Sequence, residues 1–148
     1  MKNLTGPAGS CNDIFFIFAN EHLFFTDEII LIIFNSIKNT KQMKIAITAT
    51  GQTIKSKMDN RFGRCSFFAI YDTELKQTEF LSNPGQASNE GAGPASVQFI
   101  ASQGVHRIIS GEFGGKVKDI LSGLNIQMII HGKNDITIEE IVNQISRN

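Results

Sequence analysis

The chain has 148 residues, enough for one ordinary domain that buries its core without disulfides or a structural metal, and too few for a second full domain. Lys and Arg total 14 and Asp and Glu total 14, so no net charge draws the protein to a nucleic-acid backbone or an anionic membrane, and any anion site must be local. Cys11 and Cys65 stand far apart and belong to no CxxC or Cys/His grid, which excludes a disulfide framework and a structural zinc site and makes a reducing cytoplasm the default.

Composition changes near residue 42. Residues 1–42 carry 6 of the 12 phenylalanines but follow no consistent period of 2 or 3.6, so no packed element is expected there. Their apolar clusters, 14–18 and 29–34, are separated by Glu21, His22, Asp27 and Glu28, and neither approaches the roughly 18 to 20 apolar residues of a membrane span. The Gly/Ser/Asn-rich start is also unlike a signal peptide. The segment reads as a leader, disordered or translated from a start codon placed too early, against the alternative of a real extension that packs or binds a partner, with the domain itself beginning at Met43.

From Met43 the pattern is regular. Residues 44–49 alternate and are β-branched, predicting a first strand, and 66–72 and 77–82 predict two more after a loop at 50–65. A Gly-rich loop at 83–93 leads to a helix from Pro94 to Gln103, with Gly104 as its left-handed cap. A short strand at 107–110 and a helix at 115–122, stopping at Gly123, follow. The apolar run at 126–130 predicts a strand covered on both faces, and Thr137 with Glu140 predicts a capping box for a last helix ending near Arg147. On that helix Ile138, Ile141, Val142 and Ile145 share one face. The order βββαβαβα predicts an α/β domain of three layers and a mixed five-stranded sheet, ribonuclease H-like in arrangement.

In that topology the first, third, fourth and fifth strands run the same way, so their outgoing loops share one edge of the sheet, where α/β sheets bind ligands. The first loop carries Arg61, Phe62, Gly63, Arg64 and Cys65, two permanent cations and a soft sulfur. The loop after the third strand runs from Asn83 to Gly91 and Gly93 and enters a helix whose free N–H groups favour anions. Gly111, Gly114 and Gly115 repeat that arrangement at the next helix, with Lys116 adding charge near its start. Cys65 reads two ways, as a thiolate favoured by the flanking arginines or as a small buried hydrophobe. The arginines in turn face either a bound anion or carboxylates such as Asp59 and Asp72. His131, at the end of the last strand, is a candidate metal ligand, whereas His106 falls at the opposite edge.

The opening strand, the Arg-Phe-Gly-Arg loop, Asn83-Pro84, the Gly-Ala-Gly before one helix and the Gly-rich turn before the next resemble the dinitrogenase iron-molybdenum cofactor biosynthesis family, which includes NifX and the C-terminal part of NifB. The resemblance spans residues 43–148. It implies a small accessory or carrier protein, not an enzyme, that binds iron-molybdenum cofactor or an iron-sulfur precursor non-covalently, exchanges it with donor and acceptor proteins, and works in the cytoplasm. Members also occur outside nitrogen fixation, and one branch holds a molybdenum-copper-sulfur cluster.

Several other readings compete. A nuclease of ribonuclease H type needs converging carboxylates, and the first strand has none. Glu90 and Glu112 flank the ligand edge without a histidine or nucleophile beside them in sequence. A phosphate- or nucleotide-binding regulatory module would use the same helix starts, although neither GxxxxGK[ST] nor GxGxxG is present. A protein-interaction adaptor without metal remains the blandest alternative.

Overall fold

A computed structural model describes residues 27–37, 42–133 and 135–147. The chain divides into two units, Met1–Thr40 and Lys41–Asn148. In the first, Asp27–Ile37 forms a helix, α1. This element was not anticipated by the sequence reading. The segment has neither Gly nor Pro and opens on an acidic pair, which suits a helix start even though its apolar residues follow no single face. The rest of the proposed leader, and with it Cys11, lies outside the described residues.

The second unit is built on five strands, β1 (Lys44–Ala49), β2 (Phe67–Asp72), β3 (Gln77–Ser82), β4 (Arg107–Ser110) and β5 (Gln127–Ile130), in the spatial order β3-β2-β1-β4-β5. The helices are α2 (Ala92–Ser102), α3 (Gly115–Gly123) and α4 (Ile138–Ser146). Strands β1, β2 and β3 form an antiparallel meander, and β4 and β5 add in parallel beside β1. The meander turns tightly because Asp72 Oδ1 accepts the N–H groups of Glu74 and Leu75 at 2.9 and 3.0 Å, while Lys76 takes the left-handed conformation at φ 55.

Alternation along β1 and β2 sends side chains to two separate cores. Ala46, Phe68 and Ile70 pack with Val97 and Ile100 of α2 and Val117 and Leu121 of α3. Ile45, Ile47, Ala69 and Tyr71 pack with Ile138, Ile141 and Val142 of α4. The predicted apolar face of the last helix therefore lies on the sheet, with Ile145 partly buried at its end.

Differences from expectation are local. Helix α2 begins at Ala92, with Pro94 inside its first turn. Helix α3 ends at Gly123 as expected, and the left-handed residue that follows it is Asn125, at φ 56. Strand β5 is only partly covered, with Met128 packed against one core and Ile129 against the other. It is the sheet edge, with Ile130 60 % exposed, because an apolar run records hydrophobicity and not which neighbour the topology supplies.

Candidate functional site

Three loops meet at the C-terminal ends of β1, β3 and β4 around an open groove of about 500 Å³. Its lining draws on Arg61 to Arg64 from the first loop, Gly91 to Pro94 from the second, and Glu112 with Gly114 to Val117 from the third.

The joints between these loops are specific. Glu112 N–H donates to the Asn60 carbonyl at 2.7 Å and Phe62 N–H donates to the Glu112 carbonyl at 3.4 Å, zipping the first loop to the third. The Phe62 ring is buried, with Phe68 and Phe113 each at 5.5 Å between centroids, so the short 3-10 turn Phe62–Arg64 is pinned by the core beneath it. Gly63 joins the first loop to α2. A Cβ there would lie 3.0 Å from both the Cα and the N of Gly93, so glycine lets the two backbones approach closely and a larger residue would press them apart by a few tenths of an ångström.

Asn83 lies beneath the groove and does not line it. Its Nδ2 donates to the carbonyls of Cys65 at 2.9 Å and Gly63 at 3.3 Å, and its Oδ1 accepts from Gly85 N–H at 2.9 Å and Ser96 Oγ at 2.8 Å. One buried amide thus ties the first loop, the second loop and α2 together. Gly111 also supports from behind, since a Cβ there would meet Asn60 Oδ1 at 2.5 Å.

The helix starts are the groove's distinctive chemistry. Gly91 caps α2 in the left-handed conformation, φ 71, and Gly114 caps α3 in an extended one. Neither end has a side-chain cap or an acidic residue in its first turn. Among the described residues, no partner is found for the N–H groups of Ala92 and Gly93, nor for those of Gly115, Lys116 and Val117. Such groups carry the positive end of the helix dipole. Arg61, Arg64 and Lys116 add positive charge against the single carboxylate of Glu112. None of the three pairs with a carboxylate, the one ion pair among the described residues being Lys57 with Asp135. Arg64 instead donates to the carbonyls of Ser88 and Asn89, at 2.7 and 3.5 Å.

Cys65 is corrected by the structure. The thiol is fully buried in the core beside Phe62 and Phe68, its Sγ donates to the Phe62 carbonyl at 3.2 Å, and it does not face the groove. Burial pushes its pKa up to about 12, with the Asp59 charge acting in the same direction. The arginines flank it in sequence but do not yield a thiolate. His131 is not part of the groove either. Its Nδ1 accepts from Lys133 N–H at 3.3 Å at the end of β5. Among the described residues no three His, Cys, Asp or Glu side chains gather as a metal site.

Of the residues singled out from sequence, Arg61, Phe62, Gly63, Arg64, Gly91, Gly93, Gly114 and Gly115 surround one groove, while Cys65, Asn83, Gly111 and His131 lie outside its lining. Ser96 and Asn60, which brace the loops, carried no sequence signal, because a serine inside a helix and an asparagine in a loop are recognised as braces only through their partners.

Residues 43–148 match the model of the family described as dinitrogenase iron-molybdenum cofactor. An uncharacterized protein of Methanocaldococcus jannaschii is 29% identical over 109 residues, covering 72% of this chain and 87% of that protein. Among solved structures, the apo form of the orange protein of Desulfovibrio gigas superposes with TM-score 0.64 at 26% identity, over 70% of this chain and 87% of that one. A candidate NifB protein of Thermotoga superposes with TM-score 0.62 at 28% identity, over 72% and 89%. Through residues 43–148, the chain belongs to the dinitrogenase iron-molybdenum cofactor family.

Proposed function

We propose that this protein is a non-catalytic carrier that holds an anionic metal-sulfur cluster of the iron-molybdenum cofactor or precursor type in the groove between its first, second and third loops. The observation that carries the reading is the convergence of two uncapped helix starts and three cations on one open groove. A cluster with terminal sulfide or oxo atoms presents many acceptors and a delocalised negative charge, which fixed N–H donors and arginines recognise without a protein-metal bond. Family membership supports the same reading, within an order of strands and helices that we read as ribonuclease H-like. The protein would receive its cargo from one protein and pass it to another in the cytoplasm, in nitrogen fixation or in a related metal pathway.

Each group has a role. The N–H groups of Ala92, Gly93, Gly115, Lys116 and Val117 meet no competition from a side-chain cap, the absence of Cβ atoms at Gly114 and Gly115 lets the cargo approach the backbone, and at Gly93 it makes room for the Val117 side chain. Arg61 from the first loop and Lys116 from the first turn of α3 supply charge to the groove. Asn83, Gly63 and Gly111 hold the walls in register.

Anaerobic incubation of the full chain with tetrathiomolybdate, alone and with copper(I) or ferrous iron, tests the reading. Metal and sulfide should comigrate with the wild-type protein on gel filtration and give charge-transfer absorption, and Arg61→Ala with Lys116→Ala should lower retention about tenfold, corresponding to loss of about 1.4 kcal/mol of charge-assisted contacts. Retention unchanged in that double variant, or absent in the wild type, contradicts it.

A further inference from the structure

The segment joining β3 to α2 is tightly seated at one end and ends on a left-handed glycine at the other. At its start Asn83 is buried, and a Cβ on Gly85 would lie 2.3 Å from Ser96 Oγ and 2.5 Å from the Ala92 carbonyl, so this end is tightly seated. At its far end Gly91 stands at φ 71 with open space around it. Between them Gln86, Ala87, Asn89 and Glu90 are exposed and Ser88 is half-buried. Within the segment Gln86 and Ser88 N–H donate to the Asn83 and Gly85 carbonyls, both at 3.2 Å, and the links reaching beyond the segment are side-chain bonds, Gln86 Nε2 to Ser66 Oγ at 2.9 Å and the Arg64 guanidinium to the Ser88 and Asn89 carbonyls.

Arg64 also lines the groove. Two of its five N–H groups, one on Nη1 and one on Nη2, are committed to neutral carbonyls, so an anion that takes this end of the fork must displace them. The bonds to the carbonyls already carry the guanidinium charge, and an anion adds a full opposite charge that a carbonyl lacks, so a charged cargo competes for the fork. The cation nearest the loop is therefore shared between the loop and the ligand.

We infer that Arg64 is a latch that couples occupancy of the groove to the loop at 86–90: in the empty protein the guanidinium holds the loop down, and in the loaded protein it turns to the anion and lets the loop go. This rests on the carrier reading above and adds a way for the loaded and empty forms to differ at an exposed surface. Coupling of this kind is reciprocal, so releasing the loop also favours binding.

Hydrogen exchange read by mass spectrometry on the full chain, with tetrathiomolybdate as the probe, tests the latch. Without probe, Arg64→Ala should speed exchange of the Gln86 and Ser88 amides, which donate to the Asn83 and Gly85 carbonyls, about tenfold, as expected where local opening sets the rate, and Arg64→Lys should fall between it and the wild type. With saturating probe, the wild-type loop should approach the Arg64→Ala rate while first-turn amides of α2 and α3 slow. Equal loop exchange in wild type and Arg64→Ala without probe overturns the latch. So does slowing at α2 and α3 with the loop still held, an outcome that leaves the carrier reading standing. No slowing at α2 and α3 at any probe concentration overturns both.

Discussion

Helix α4 and the pair α2 and α3 begin in opposite ways. At α4, Thr137 and Glu140 form a reciprocal capping box, and Ile138 and Glu139 donate their N–H groups to the carbonyls of Ser56 and Ile54, at 3.0 and 2.9 Å. Every donor of that first turn is satisfied by the chain itself. At α2 and α3 the caps are glycines without side-chain bonds, and the first-turn donors face the groove. A fold able to seal one helix start this thoroughly leaves two others open where cations also collect. The contrast separates residues that stabilise the domain from residues available to a ligand.

The largest expected effect comes from forcing the open walls apart. Gly63→Ala places a Cβ against the Gly93 backbone, which cannot yield as a side chain can, so chemical denaturation should show a loss of about 2 kcal/mol, in the range of overpacked sites, together with weakened cluster retention. Removing the sealed cap should act on stability alone. Thr137→Ala should cost about 1 kcal/mol and leave tetrathiomolybdate retention unchanged.

Cys65 gives a comparable test inside the core. Cys65→Ala should cost about 1 kcal/mol in stability, as for loss of a small buried group, with retention unaffected. Its raised pKa means the folded state holds the thiol proton more tightly than the unfolded chain does. That contribution is complete below the ordinary thiol value of 9.0 and is lost as pH rises toward about 12, so the alkaline fall in wild-type stability should be shallower in Cys65→Ala. Alkylation mapped by peptide should leave Cys65 unmodified in the native protein at neutral pH.

Smaller effects belong to carboxylates used as caps. Bonds from the N–H groups of Leu75 and Thr137 hold Asp72 and Glu140, respectively, below the usual carboxylate range. A lowered folded-state pKa gives stability that is present above the unfolded value and lost as pH falls through the folded one. Asp72→Asn should therefore lower the melting temperature slightly at neutral pH, and the difference from wild type should close in acid.

How much of this was legible varies with the kind of information. Strands β1, β3 and β4 occupy 44–49, 77–82 and 107–110, the limits that alternation and turn residues mark, because local period and burial agree there. Strand β5 shows the limit of that logic, since its apolar run does not say that it ends the sheet. The loops read well as backbone and poorly as side chains. Arg61 and Gly114 face the groove as their sequence neighbourhood suggested, but the orientation of Cys65 depends on the turn Phe62–Arg64, which carries Phe62 and Cys65 into the core together. Asn83 reads as a turn residue, and its work as a buried brace emerges only with Cys65, Gly63 and Ser96 assembled round it.

Gly114 allows the most direct test of the claim that the open helix starts are kept for an anion. Its extended conformation suits an N-cap side chain and nothing lies within 4 Å of an added Cβ, so Gly114→Asp should fold normally and gain a few tenths of a kcal/mol as the new carboxylate caps α3. The same carboxylate would occupy the donors and repel an anion. Equilibrium dialysis with tetrathiomolybdate should then show affinity lowered about tenfold or more in a protein at least as stable as wild type. Unchanged affinity in a folded Gly114→Asp protein would contradict the account.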